Sequence, residues 1–249
     1  MSMRKSPMTD IGRDRILAAA RDAVAGSYRR AVASALSTLL GELGDRLRAL
    51  AMFKTQPVGP INWQASKDDQ LVAIAHLCET GAALINGAAD LLQNGNVYAA
   101  SALNRQLVEV EYLAWAFAND PDEATTWQVS SKEERLKRWQ PRHLRDRSGG
   151  KFRGSDYAEH CEIGGHPTPD GMTNLLHGDR ETMSGVIAYE SAHHGSSVWD
   201  YLLLATAQVL MEREFDPAAL IDGEAAQKFV ALKDEWDGQD DLGDAWRVR

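Results

Sequence analysis

The sequence predicts an all-α fold, an antiparallel helical bundle with a long N-terminal helix and a polar, basic inserted loop. Three observations carry this. The long segments are dominated by Ala and Leu, and their apolar residues recur at the spacing of one helix face. No series of Val/Ile-rich runs alternates with helical stretches, which excludes the usual α/β architectures. A chain of 249 residues with 44% hydrophobic content is long enough to bury a substantial core, as one large helical domain or one with appendages.

The elements follow in order. From about Asp10 to Lys54, the residues Ile16, Ala20, Val24, Ala31, Ala35, Leu39 and Leu47 keep helical spacing, as one long helix or two broken near Gly26 or Gly41. Pro57, Gly59 and Pro60 end that block, because proline lacks a donor and pushes the preceding residue out of helical geometry, so residues 55–66 read as a loop. Helices over about 67–93 and 97–117 form an antiparallel hairpin, joined by Asn94-Gly95-Asn96, a tight turn whose last Asn caps the second helix. After Asp120-Pro121 the pattern shortens. Residues 122–129 make one helical turn or two, and Ser130 or Ser131 with Glu133 or Glu134 starts a short helix through Leu136 to Trp139 that Pro141 stops. The run Tyr157 to Pro167 reads as a helix end closed by Gly164 and Gly165, and residues 167–185 as a long loop with one helical turn around Asn174–His177. Ser196 or Ser197 then caps a helix over about Val198–Arg213, and Pro217 opens the last, to about Trp236. This gives an N-terminal helical arm over 1–54, a bundle core over 67–215 with a basic and His-rich insert at 130–195, and a C-terminal helix with an acidic tail over 216–249.

Composition narrows the setting. Cys78 and Cys161 make no disulfide framework, and Met1 to Thr9 has no apolar core of the signal-peptide kind, so a reducing, cytoplasmic location is expected. The most apolar stretch, Val198 to Met211, is broken by Asp200 and Gln208 and falls short of the ~20 apolar residues a bilayer needs, so no membrane span is expected.

Charge is unevenly placed. Between Arg135 and Arg153 stand eight cations (Arg135, Lys137, Arg138, Arg142, Arg145, Arg147, Lys151, Arg153) against Asp146 alone, a net +7 in a chain of net −9. With Trp139 and Phe152 interleaved, such a segment can hold a phosphate backbone by ion pairing and counterion release, which makes RNA a candidate partner. The alternative is a solvated loop docked on the protein's own acidic surface, for which the tail from Glu212 to the end, eleven acids against five cations, is a ready partner. The Gly149-Gly150 break leaves the second half of the segment mobile in this reading.

The 97–117 helix is poor in charge, so Arg105 and Glu109 stand out. Four residues apart, they share a face with Tyr98 and Tyr112. A mutually neutralised pair is a structural clamp that needs no ligand; the alternative is a cleft in which Arg105 holds an anion that Glu109 orients. Five of the seven histidines, His160, His166, His177, His193 and His194, lie within 35 residues. The helix end at 157–167 can present Tyr157, His160, Cys161 and His166 together. No Cys-x-x-Cys pair supports zinc, and the single Glu190-x-x-His193 is half of what a di-iron bundle requires, so neither a metal nor another cofactor is expected.

The order of an apolar helix bearing Arg105 and Glu109, then Trp127, then the Tyr157–Pro169 segment with its His-Pro-Thr-Pro ending resembles poorly characterised bacterial all-helical proteins similar to HEPN domains, over roughly residues 67–215. That resemblance implies a homodimer, a role in bacterial stress or defence, and in many such domains metal-independent ribonuclease activity from an Arg and a His separated by four to six residues. The histidine acts on the attacking 2′-hydroxyl or the leaving oxygen and the arginine steadies the phosphorane charge. Arg138–His143 and Arg153–His160 both fit the spacing. The second adjoins the basic segment, which makes Arg153 and His160 the candidate catalytic pair with Tyr157 and His166 as accessories, and Arg138, Arg142, Arg145, Arg147 and Lys151 the candidate polyanion contacts. A non-enzymatic helical module that binds a protein partner or dimerises is the alternative reading.

Overall fold

The computed structural model describes residues 10–54 and 68–247, so the loop expected over 55–66 lies outside the described residues. Among these residues there are twelve α-helices and no strand. In chain order they are α1 (Asp10–Ala20), α2 (Ala23–Lys54), α3 (Asp68–Gln93), α4 (Val97–Asn119), α5 (Asp122–Val129), α6 (Lys132–Arg138), α7 (Pro141–Arg147), α8 (Gly154–His160), α9 (Pro169–Met172), α10 (Arg180–Met211), α11 (Gly223–Gln239) and α12 (Leu242–Arg247). Two π-helical turns, Cys161–Gly165 and Thr173–His177, follow α8 and α9.

The long helices α2, α3, α4 and α10 pack side by side around one core, with α11 against α2. Leu36, Leu40 and Leu47 of α2, Leu71, Ile74 and Ile85 of α3, Leu107 and Phe117 of α4 and Leu202 of α10 are fully enclosed there, each contributing about 1.5–3 kcal/mol of burial free energy. Residues 23–54 of the expected arm thus share one core with the hairpin and α10. By length and composition, residues 69–93 form a helix apolar enough to cross a membrane, but 56% of its apolar window is buried inside the bundle. The apolar stretch that stands out is therefore α3, which is apolar on most of its surface because it packs against α2, α4 and α10.

Local signals account for the helix ends. Gly95 takes the left-handed φ of 71° that closes the α3–α4 turn, and the Asn96 side chain accepts from Ala99 N. Ser131 and Glu134 form a reciprocal capping box at the start of α6. The break between α1 and α2 falls at Arg21-Asp22, where Asp22 Oδ1 accepts from the amides of Val24 and Ala25; Gly26 and Gly41 lie inside α2. Pro141 begins a helix as well as closing one, since at the first position of α7 its missing N–H has no intrahelical partner to lose.

The largest departure from the sequence reading is α10, which starts at Arg180 rather than near Val198. Asp179 caps it by accepting from Glu181 N and Thr182 N, and Arg21 bonds the same carboxylate. Gly185 and Gly195 lie inside α10 at points of close approach. A Cβ at 185 would run into the Ala20 carbonyl, and one at 195 would lie 3.0 Å from Ile85 Cδ1.

The acidic tail does not meet the basic segment through any ion pair among the described residues. Asp240 pairs instead with Arg29, both side chains almost wholly enclosed (2% and 0% exposed). Arg29 Nε and Nη2 each donate to Asp240 at 2.6 Å, and the other N–H groups reach the carbonyls of Ala19, Ala20 and Gly185. Trp236 Nε1 and Leu242 N also donate to Asp240. Every donor of the guanidinium is satisfied, which is what makes a buried charge tolerable.

Candidate functional site

The site forms where α8 and its following π turn lie over the groove between α4 and α10. Asn104 and Glu111, two helical turns apart, share the α4 face toward α10. Asn104 donates to the Ile187 carbonyl (2.8 Å) and accepts from Ser191 Oγ (2.7 Å), zipping the two helices together. Arg105 and Glu109 occupy the adjacent face, toward α8. Gly164 in the π turn seats α8 on this groove, since a Cβ there would sit 2.5 Å from the Ser101 backbone.

Two polar arrays result. In the first, Arg105 Nη2 donates to Tyr157 Oη (3.0 Å) and pairs with Glu109 (2.9 Å), while Tyr157 Oη donates to the same Glu109 oxygen (2.8 Å). Arg105 Nε points to Cys161 Sγ at 3.5 Å. The clamp and the cleft are thus built from the same residues: the pair is closed, but its side chains remain 26% and 35% exposed. Burial, then the bond to Glu109, raises the Tyr157 pKa above its ordinary value, so the residue stays a phenol. Cys161 is half-buried here, whereas Cys78 is enclosed and burial pushes its thiol pKa up, keeping it unreactive.

The second array is a chain of imidazoles and carboxylates. His194 Nδ1 lies 2.7 Å from Glu111 Oε2, His194 Nε2 lies 3.2 Å from His160 Nε2, and His160 Nδ1 lies 3.8 Å from Glu190 Oε2. The carboxylate of Glu111 assigns a proton to His194 Nδ1, which leaves Nε2 to accept from His160 Nε2–H. Glu190 lies on the other side of the His160 ring, nearest Nδ1. His193 turns away and stacks on Tyr189 (5.7 Å).

The basic segment is held down by a residue that the sequence reading passed over. Glu123 of α5, 3% exposed, accepts from Arg138 Nη2 (2.6 Å), Arg147 Nη2 (2.8 Å) and Trp139 Nε1 (2.6 Å). Burial alone would raise its pKa, but these three donors outweigh that and lower it. The segment's internal partner is therefore Glu123, because the α5–α6 turn folds α6 and α7 back over it. The segment is helical on both sides of Pro141, and Gly149 and Gly150, at φ 63° and 93°, form the turn that follows. Trp139 is buried and Phe152 packs 4.1 Å from Tyr112 and 5.5 Å from Trp115, so both interleaved aromatics anchor the segment. Lys151 lies over the Tyr201 ring (4.7 Å) and Arg145 over that of Tyr157 (4.6 Å), while Lys137, Arg142 and Arg153 are exposed.

The candidate pair is split in environment. Arg153 is the exposed N-cap residue of α8, and His160, one helix length on, turns into the groove. His166 and His177 are exposed. Among the described residues no group of three or more His, Cys, Asp or Glu side chains is arranged to hold a metal ion. Neither a protein-family model, nor a curated protein, nor a solved structure matches the chain. The site is accordingly read from its own chemistry.

Proposed function

We propose that this chain is a HEPN-like helical protein that engages RNA through the exposed cations of α6–α8 and cleaves it without a metal. The observation that carries this reading is the Glu111–His194–His160 relay lying beside that cationic surface. His160 Nδ1 takes the proton of the attacking 2′-hydroxyl, and the imidazolium is steadied through Nε2–H by His194 and, behind it, Glu111. The same proton returns to the departing 5′-oxygen as the 2′,3′-cyclic phosphate forms. Arg105, against Tyr157, and Arg153, at the start of α8, are the arginines of the site, to meet the charge gathering on phosphorus. A homodimer, as the HEPN resemblance implies, would place two such surfaces together.

Incubation of single-stranded RNA with the purified protein in EDTA, beside His160→Ala and His194→Ala, tests this. The wild type should leave cyclic-phosphate ends, with the rate falling about 10²–10⁴-fold in either variant and binding weakening steeply with salt. Equal cleavage by all three proteins, or none by any, rejects the ribonuclease reading.

A further inference from the structure

Arg145 is the one cation of the basic segment with a guanidinium nitrogen that is buried and unpaired among the described residues. Arg138 and Arg147 hold Glu123, and Arg135 donates to the Ser130 carbonyl. The Arg145 guanidinium makes no hydrogen bond or ion pair to any described residue, although its Nη1 is shut off from solvent. Stripping water from a guanidinium N–H without supplying an acceptor is destabilising, more so than for a neutral donor. Stacking on Tyr157 offsets part of this and fixes where the group lies, 4.6 Å from the ring centroid.

A second guanidinium flanks the same ring. Arg105 Cζ is 5.6 Å from the Tyr157 centroid, and with Nε on Cys161 and Nη2 on Tyr157 and Glu109 its Nη1 is left without a partner among the described residues. The remaining Arg145 N–H groups, which are not sealed off as Nη1 is, and Arg105 Nη1 thus stand unused around one phenol ring, and arginine forks take oxyanions through such N–H groups. The local charge narrows the class. Glu109 cancels Arg105, which leaves a single positive charge from Arg145.

We infer that Arg145, Arg105 and Tyr157 form a subsite for one phosphodiester group, whose single negative charge matches that excess. The subsite deepens the polyanion reading, on which it rests for the choice of phosphate over carboxylate. It holds one backbone linkage beside α8 and so sets the register of the strand relative to His160, while the exposed Arg142 contributes attraction without position.

The test uses thymidylyl-thymidine, d(TpT), which carries one phosphodiester and, lacking a 2′-hydroxyl, cannot be cleaved by this chemistry. Its titration is followed through the arginine Nε–Hε signals of the full chain, with Arg145→Met, which keeps the stem on Tyr157, and Arg142→Met as the exposed control. The Arg145 and Arg105 signals should move together, and the dissociation constant should rise at least about tenfold in Arg145→Met but less than about threefold in Arg142→Met. Without ligand, Arg145→Met should melt at or above the wild-type temperature, because it removes an orphaned donor; a structural arginine would give the opposite. Unmoved Arg145 signals, equal weakening by both variants, or a lowered melting temperature in Arg145→Met overturns the subsite. If d(TpT) binds through Arg145 while RNA survives in EDTA, the subsite stands and the ribonuclease reading falls. If Arg145→Met cleaves and binds RNA like the wild type, the reverse holds.

Discussion

Replacing Glu123 with Ala should release the basic segment from the bundle. The carboxylate accepts three donors, of which the Trp139 indole N–H belongs to a buried ring and has no other acceptor among the described residues. Leaving that donor buried and unpaired costs about 1–3 kcal/mol. The two arginines are 48% and 38% exposed, so solvent screens them, and each pair adds about 0.2–1 kcal/mol. Glu123→Ala is therefore expected to lose about 2–4 kcal/mol in urea denaturation, and Glu123→Gln, which keeps one acceptor for Trp139, about half of that. The effect carries a pH signature. The folded pKa of Glu123 is lowered, so its contribution is fully present above the ordinary glutamate pKa and lost as the pH falls through the lowered folded value; the Ala variant should lack that part of the acid limb. Hydrogen exchange supplies the local readout, with protection of amides in 132–147 falling in Glu123→Ala while that of α3 stays. An unchanged urea midpoint together with unchanged exchange over 132–147 would refute the reasoning.

Two further expectations concern the frame that positions the site. Asp240→Asn strands the Arg29 charge inside the bundle and should destabilise by about 3–5 kcal/mol in thermal or urea unfolding; because Arg29 and Trp236 lower the Asp240 pKa despite its burial, the wild-type contribution holds above the ordinary aspartate pKa and disappears as pH falls through the folded value. Gly164→Ala puts a Cβ 2.5 Å from the Ser101 backbone, lifts the π turn off α4 and should cost about 1–3 kcal/mol. A crystal or NMR comparison should find the His160–His194 contact lengthened, and an unmoved contact at full stability would show that the groove tolerates the methyl.

Much of the fold is legible in the chain because helices are written in local pattern. Caps such as Asn96 and the Ser131–Glu134 box, the Asn-Gly-Asn turn, and the apolar spacing of α3 and α4 are decided within a few residues, and they locate those helices closely. The reading failed where packing overrides propensity. Residues up to 185 look like a loop, but Asp179 caps α10 at Arg180 and the missing side chain of Gly185 lets the helix pass the Ala20 carbonyl of α1. Pro141 looks like a stop and serves also as a start.

For the site, local contrast in the sequence singled out Arg105, Glu109 and the basic segment, and the helix end at 157–167 with the HEPN resemblance singled out Tyr157 and His160. Residue types that are rare in an apolar helix, or clustered in an acidic chain, stand out by contrast with their neighbours along the sequence. What the sequence could not decide is pairing. Glu123 meets Arg147 across 24 residues, Glu111 meets His194 across 83, and Arg29 meets Asp240 across 211. No local pattern encodes such distances, because the helices can be laid together in several ways with equal satisfaction of their own hydrogen bonds. The choice is made by which faces bury the most apolar surface. The chain by itself determined which segments are helical and which groups carry charge or exchange protons near neutral pH. Only the packing of α4, α8 and α10 decided which charges cancel, which histidines share a proton, and that Arg145 is left with none of its hydrogen bonds made among the described residues.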